Sequence, residues 1–278
     1  MIGVLFAVLI IVSVLIRLIP GDPVDVIMAG NPGITEDDKQ ALPTHLGPNG
    51  SIALRIAKYG DGLRFRTQVR PLIVEKLPPT IELTVFAMII AMLIAVPLGL
   101  ITALKRDQPA DYVGSIVAVL GISIPGFLLG ILLILFLSVQ WRVFPSSGYG
   151  GSITHATWTL ITTGDTEPNR KSLRYIFLPG ITLGIASAAY NARIIRSAMI
   201  EVLRQDYVRY ARAKGLTPRR VNISHAFRNA LIPVVTILGL QIGYLLSGAF
   251  VVENVFAWPG IGRFSVQALG WRDYPVIQ

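Results

Sequence analysis

The sequence predicts an all-α polytopic membrane protein, and three observations predict it. Hydrophobic residues make up 53% of the 278 and charged residues only 15%, with a mean hydropathy of +0.60, whereas about a quarter of an ordinary soluble domain is charged. The uncharged runs 1–16, 83–104, 112–141, 175–192 and 229–252 are mostly long enough, at about 1.5 Å per helical residue, to cross a hydrocarbon core of about 30 Å. Barrel strands would instead run about ten residues with alternating polarity, a pattern these stretches lack. The same composition excludes a disordered chain and a fibrous repeat. With no cysteine in the sequence, a disulfide scaffold and a cysteine nucleophile are excluded as well.

Taken in order, spans are expected at about 1–19, 81–104, 112–140, 175–199 and 229–252, within one transmembrane domain covering 1–278. The first run has no basic residues ahead of it, and Arg17 follows it without a small-residue cleavage pattern. It therefore reads as a span and not as a removable signal. Charge orients the rest. Residues 193–228 hold nine Arg or Lys against two acids, Glu201 and Asp206, and so carry seven of the net +9. Residues 18–80 hold seven of each sign and are neutral. Short loops rich in Lys and Arg stay on the cytoplasmic side, so 200–228 is expected inside, and 20–80, 141–174 and 253–278 outside. Lys105 and Arg106 then fall inside, consistent with alternation.

A second reading of the basic loop, that its charges only fix topology, leaves its internal order unexplained. Met199, Val202, Leu203, Tyr207, Tyr210 and Ala211 recur at the i, i+3, i+4, i+7 spacing of one helical face. Arg204, Arg209 and Arg212 lie off that stripe. Gly215 suits a helix C-terminus, and Thr217-Pro218 offers an N-cap with proline at the first helical position. The segment predicts a helix, a tight turn and a second helix. Small residues at Ala211, Ala213 and Gly215 suit docking into another protein's groove. Nucleic acid is not an expected partner, since the loop is tethered between spans and lacks a recognised motif.

At these residues a resemblance becomes specific. The stretch from Asp206 through Tyr207, Val208, Arg209, Tyr210, Ala211, Arg212, Ala213 and Lys214 to Gly215-Leu216, followed by His225-Ala226-Phe227-Arg228-Asn229-Ala230-Leu231-Ile232-Pro233, resembles the cytoplasmic loop of binding-protein-dependent ABC importer permeases. More narrowly it is similar to their dipeptide/oligopeptide branch. Leu18-Ile19-Pro20-Gly21-Asp22-Pro23, Gly121-Ile122-Ser123-Ile124-Pro125-Gly126-Phe127, the stretch from Val252-Glu253-Asn254 to Pro259-Gly260-Ile261-Gly262, and Arg272-Asp273-Tyr274-Pro275-Val276 agree with that branch, in its order, over nearly the whole chain.

The resemblance implies a type I ABC importer-like transmembrane domain in the bacterial inner membrane, a permease subunit for di/oligopeptides or related solutes. It implies a second homologous permease as heterodimer partner, two ABC ATPase subunits inside, and a periplasmic or lipid-anchored substrate-binding protein outside. Glu201, Asp206, Tyr207, Arg209, Ala211, Ala213, Lys214 and Gly215 would form the ATPase-coupling loop. The chain would bind no cofactor itself, ATP being used by its partners. Three departures stand out. Arg209-Tyr210-Ala211 replaces the Glu-Ala-Ala of generic importers, as the peptide branch does. Residues 43–66 match poorly. Members normally continue beyond Val276, so five spans are expected here with a sixth missing at the C-terminus.

Prolines at 97, 125, 179 and 233 fall one in each of four spans; they kink helices by removing a donor, so Pro125 and Pro233 are candidate hinges, with static packing as the alternative. The glycine pairs 126/130, 180/184 and 239/243 permit close helix approach, within the chain or with a partner permease. Arg193 and Arg196 read as interfacial anchors that snorkel to the headgroups. Glu253 and Asn254 are candidates to fix an outer gate, with surface solvation equally open, and the same choice stands for Glu82. Residues 141–175 could contact a binding protein or form an ordinary loop. His45, His155 and His225 have no ligand spacing, and neither a phosphate-cradling loop nor a Gly-x-Ser-x-Gly elbow occurs. A metal site, ATP hydrolysis and protease chemistry are therefore not expected of this chain. The alternatives to an ATP-driven importer subunit are a channel or secondary transporter without ATP coupling, and a truncated, nonfunctional permease. Ionisable residues inside the spans would favour a secondary transporter, and the central spans carry none.

Overall fold

A computed structural model describes residues 69–271 and Val276. The expected first span, at about 1–19, lies outside the described residues, as does the poorly matching 43–66. The described residues fall into two compact units, one of 69–76 with 264–271 and Val276 and one of Leu77–Arg263. In the first, Val69, Phe264, Ala268 and Val276 bury one another beside Leu72 and Ile73.

The described elements are all helical. α1 (Val69–Leu104) and α5 (Glu167–Leu203) have 36 and 37 residues, roughly 55 Å each and well beyond the thickness of the hydrocarbon core. Between them lie α2 (Pro109–Ser123), α3 (Gly126–Leu133), a π-helical segment Ile134–Gln140, and α4 (Ile153–Thr163). After α5 come α6 (Asp206–Ala213), the short α7 (Pro218–Arg220), a second π-helical segment Val221–Phe227, α8 (Arg228–Val255) and α9 (Ile261–Gly270). Three described helical stretches, Val69–Leu104, Glu167–Leu203 and Pro218–Gly243, are long and apolar enough to cross a membrane. A fourth is present if α2 and α3 with its π extension are taken as one bent span.

That bend is 96°, and its cause is local. A proline pushes the residue before it out of the α region, and Ile124 is extended at φ −78°, ψ 120°, with Pro125 capping α3 behind it. The run expected as one span at 112–140 is thus two helices meeting at Pro125. Pro97, Pro179 and Pro233 by contrast sit inside unbroken helices.

α5 is the hub of the unit, packing against α2, α3, α4 and α8. Its C-terminal half is lined with small residues: Ala188, Ala192 and Ala198 cluster with Ala91, Ala95 and Ala103 of α1 and with Ala226 and Ala230 at the start of α8. Lipid supplies no hydrophobic drive between helices, so close backbone approach and dispersion must hold them. Gly184 illustrates the limit, since a Cβ there would lie 3.0 Å from the Ala87 carbonyl and 2.9 Å from Ile90. Toward the other end the filling is larger: Leu83, Ile176, Leu178, Leu245, Phe256 and Trp258 form a second cluster. Of the three glycine pairs, 180/184 faces α1, Gly130 meets Phe256, and 239/243 has open space where a Cβ would point.

Candidate functional site

The basic loop is two helices around a tight reversal. α5 ends at Leu203, Gln205 turns extended, and α6 begins at Asp206, with Asp206 in its first turn and Arg212 in its last, each complementing the helix dipole. Because the chain breaks at 204–205, the periodicity expected from Met199 to Ala211 changes phase there. Met199 and Val202 are buried from α5, and Val208 and Ala211 from α6. Those residues pack with Val221 and Ala226 in one cluster. Ala211 therefore serves the chain's own core, while Tyr210 is 63% exposed. The outward face carries Arg209, Tyr210, Arg212, Ala213 and Lys214, with Lys214 Nζ 4.8 Å above the Tyr210 ring. Glu201 and Asp206 are exposed as well, and Tyr207 accepts a hydrogen bond from the Asn229 amide at 2.7 Å, tying α6 to the start of α8.

Gly215 closes the turn at φ +78°, in the left-handed region that other residues enter at a cost of about 1–2 kcal/mol. Apart from its chain neighbours, no described residue lies within 4 Å of where its Cβ would be. Thr217 is extended, and Pro218 starts α7. The glycine turn and the proline start are thus realised as expected, while Thr217 occupies the N-cap position without a capping hydrogen bond from its side chain. The exposed knuckle it makes stands on a buried footing.

At the opposite end, Glu253 is fully buried. Its carboxylate accepts from the Thr80 hydroxyl at 2.6 Å and from the Arg263 backbone N–H at 2.8 Å. Thr80 in turn accepts from the Ile261 N–H at 2.8 Å. The Trp258 indole N–H donates to the Pro79 carbonyl at 2.9 Å, and its backbone N–H to the Glu253 carbonyl at 2.8 Å. One carboxylate thereby knots the turn after α8 onto α1. Asn254 is exposed, its amide turned back to the Phe250 carbonyl. Glu82 has a similar task nearby: it accepts from the Ser152 hydroxyl and from the N–H groups of Ile153 and Thr154, at the N-terminus of α4. Tyr149 donates to Glu82 at 3.4 Å, and burial together with that carboxylate pushes its phenol up to about 12.

Two pairs escape sequence reasoning. Arg196 binds Asp111 through Nε and Nη2, both at 2.7 Å, joining the start of α2 to the inner part of α5. It is an ion-pair partner there, in place of the free snorkelling anchor expected; Arg193 is exposed. The only signal in the sequence is Asp111 itself, an acid directly before an apolar run. Asn191, fully buried on α5, donates to Gln241 of α8 at 2.9 Å. Pro233 lies near the start of α8, exposed.

The family model for the binding-protein-dependent transport system inner membrane component matches residues 95–278. The chain belongs to this family. Two relatives agree. The dipeptide transport system permease protein DppB of Escherichia coli K12 is 39% identical over 282 residues, covering 95% of this chain and 83% of the relative. The di/tripeptide transport system permease protein DppB of Pseudomonas aeruginosa UCBPP-PA14 is 40% identical over 290 residues, covering 98% and 86%. In fold, the chain resembles the MetNI methionine ABC transporter in an inward-facing form, with a TM-score of 0.54 at 19% identity over 72% of this chain and 81% of that one. This family member is accordingly a membrane-embedded permease of an ATP-driven importer. It works with other ABC transporter components, and ATP hydrolysis takes place on a partner. That excludes the ATP-independent channel and secondary transporter. Among the described residues no cluster of His, Cys, Asp or Glu could hold a metal ion.

Proposed function

We propose that this permease subunit forms half of the translocation path for dipeptides and short oligopeptides. In this reading it spans a bacterial inner membrane several times, with 200–228 inside. A second, homologous permease supplies the other half, and a periplasmic or lipid-anchored binding protein delivers the peptide. Each permease receives one ATPase at its inner loop, and this chain binds no cofactor of its own. Support for the peptide class comes from the two DppB relatives at 39% and 40% identity over nearly the full chain.

The single observation that carries the coupling role is the shape of the loop. Val208 and Ala211 root α6 in the same cluster as Met199 and Val202 of α5 and Ala230 and Val234 of α8. The outer face of α6 and the Gly215 turn are left bare. A push on that face is delivered to two spans through packed side chains, with no flexible linker between. Glu253 and the bend at Pro125 are the corresponding elements of an outer gate and a hinge.

Replacing exposed Ala213 with tryptophan tests the docking face without disturbing the core beneath it. With the candidate ATPases, binding protein and partner permease reconstituted, ATPase retention is expected to fall at least about tenfold, as for a blocked interface centre. ATP-dependent uptake of a labelled dipeptide should fall with it. Normal retention and normal uptake together would refute the coupling assignment. Uptake that single amino acids compete away, and di- and tripeptides do not, would refute the peptide class alone.

A further inference from the structure

An open cleft of about 420 Å³ lies between the end of the π-helical segment Ile134–Gln140 and the first turns of α5. Its walls carry four cations, Arg142, Arg170, Lys171 and Arg174, against one carboxylate, Glu167, with the Ser138 and Tyr175 hydroxyls beside them. In sequence these charges are spread among the neutral-looking residues of a connection. Folding gathers them around one space.

Two of the cations are already committed. Arg174 donates to the Val143 carbonyl at 2.8 Å and so braces the wall, and Arg170 pairs with Glu167 at 3.1 Å. Arg142 and Lys171 have no acid within 4 Å among the described residues. Arg142 is also held at φ +52°, a left-handed conformation unusual outside glycine. Four cations faced by the single carboxylate of Glu167 leave a net positive space, and an anion seated there would relieve the repulsion.

Depth identifies the anion. Arg142 directly follows the apolar run 112–141, and Arg174 directly precedes the apolar run 175–192. Both walls of the cleft therefore stand where hydrocarbon gives way to the polar layer of the bilayer, the height of the lipid phosphates. The neighbouring residues are apolar and bare: Leu135 is 50% exposed, Val139 59%, Trp141 65% and Leu173 43%. A guanidinium matches a phosphodiester with paired hydrogen bonds, and an exposed apolar flank suits an acyl chain. We propose that this cleft is a binding site for the headgroup of an anionic glycerophospholipid, with Arg142 and Lys171 as the principal phosphate ligands.

The test uses the full chain, purified with the transporter components that co-assemble with it, in nanodiscs of phosphatidylcholine doped with phosphatidylglycerol. Lipids retained on release are counted by native mass spectrometry. Wild type is expected to keep phosphatidylglycerol at least about tenfold over its share of the disc. The R142Q/K171Q variant should fall to that share with unchanged helicity. Should the double variant fail to fold, the single exposed change Lys171→Glu is expected to lower the enrichment severalfold. Enrichment absent in wild type, or undiminished in folded variants, overturns the proposal. So does displacement of the lipid by millimolar inorganic phosphate, which would make this a soluble-anion site. Loss of binding-protein attachment with lipid enrichment intact would overturn it in favour of a protein-docking face.

Discussion

Removing the Arg196 side chain should destabilise the helical unit by about 2–3 kcal/mol, and the structure sets that magnitude. Asp111 is 3% exposed, whereas the Arg196 side chain retains 29% of its surface. Deleting one member of a fully buried ion pair costs about 3–5 kcal/mol, because the other charge is left uncompensated. Here water reaches the arginine side and screens part of that. What remains for the carboxylate after Arg196→Ala is the Asp107 N–H at 3.1 Å and a long contact to the Ser115 hydroxyl at 3.4 Å. Asp111→Leu with Arg196→Leu removes both charges at once and should restore stability to within about 1 kcal/mol of wild type, as apolar replacements of buried pairs do. The coupling energy from the cycle, with Asp111→Leu and Arg196→Leu as its single members, is then about 2 kcal/mol. Reversible unfolding in mixed detergent micelles, followed by tryptophan fluorescence, measures all four species. If the single changes each cost under about 0.5 kcal/mol, or if the double costs their sum, the pair contributes no specific interaction and the reasoning fails.

Further outcomes follow from other contacts. Glu253→Ala strands the Thr80 hydroxyl and the Arg263 N–H in a dry site and should cost about 3–4 kcal/mol in the same unfolding assay, with Glu253→Gln costing less than half of that. Gly184→Val forces a side chain against the Ala87 carbonyl and Ile90; a loss of about 2–3 kcal/mol is expected, and an unchanged midpoint would contradict the close helix approach. Tyr149 has its proton held more tightly when folded than when unfolded, so its contribution to stability is whole below about pH 10 and disappears as pH climbs through about 12. A tyrosinate absorbance titration should lose its latest-ionising component in Tyr149→Phe. Pro125→Ala frees Ile124 to return to the α region; spin labels on α2 and α3 should then report an opening of the 96° bend, and an unaltered distance would show that packing alone imposes it.

How much of this was legible follows from the range of each cause. The apolar runs and the Gly215-Thr217-Pro218 reversal are local chemistry, and both were readable: a left-handed turn, an extended residue and a proline at the first helical position need nothing from elsewhere. Long-range pairings left no comparable trace. Asp111 and Arg196 are 85 positions apart, and Thr80 and Glu253 are 173 apart, so neither acid's partner could be named, nor Glu253's full burial distinguished from solvation. The helical stripe failed at a single joint. Periodicity carries only while the helix is continuous; after the break at 204–205 Ala211 stays inward as the stripe expects, but Val208 takes the inward place expected of Tyr207 and Tyr210, which are exposed. Four prolines read alike in sequence, yet one breaks its helix and three do not. At Pro125 the residue before the ring is extended, whereas Pro97, Pro179 and Pro233 lie inside continuous helices, and the proline pattern alone does not separate the two cases.

The π-wound stretch Val221–Phe227 stands between the basic knuckle and α8. Its amides reach one residue farther back than those of an α-helix, so the same seven residues can be rewound tighter simply by exchanging acceptors. The π winding therefore sets both the rotation of α8 about its axis and its position along that axis relative to the knuckle, and an α-wound stretch of the same seven residues would start α8 at a different phase and height.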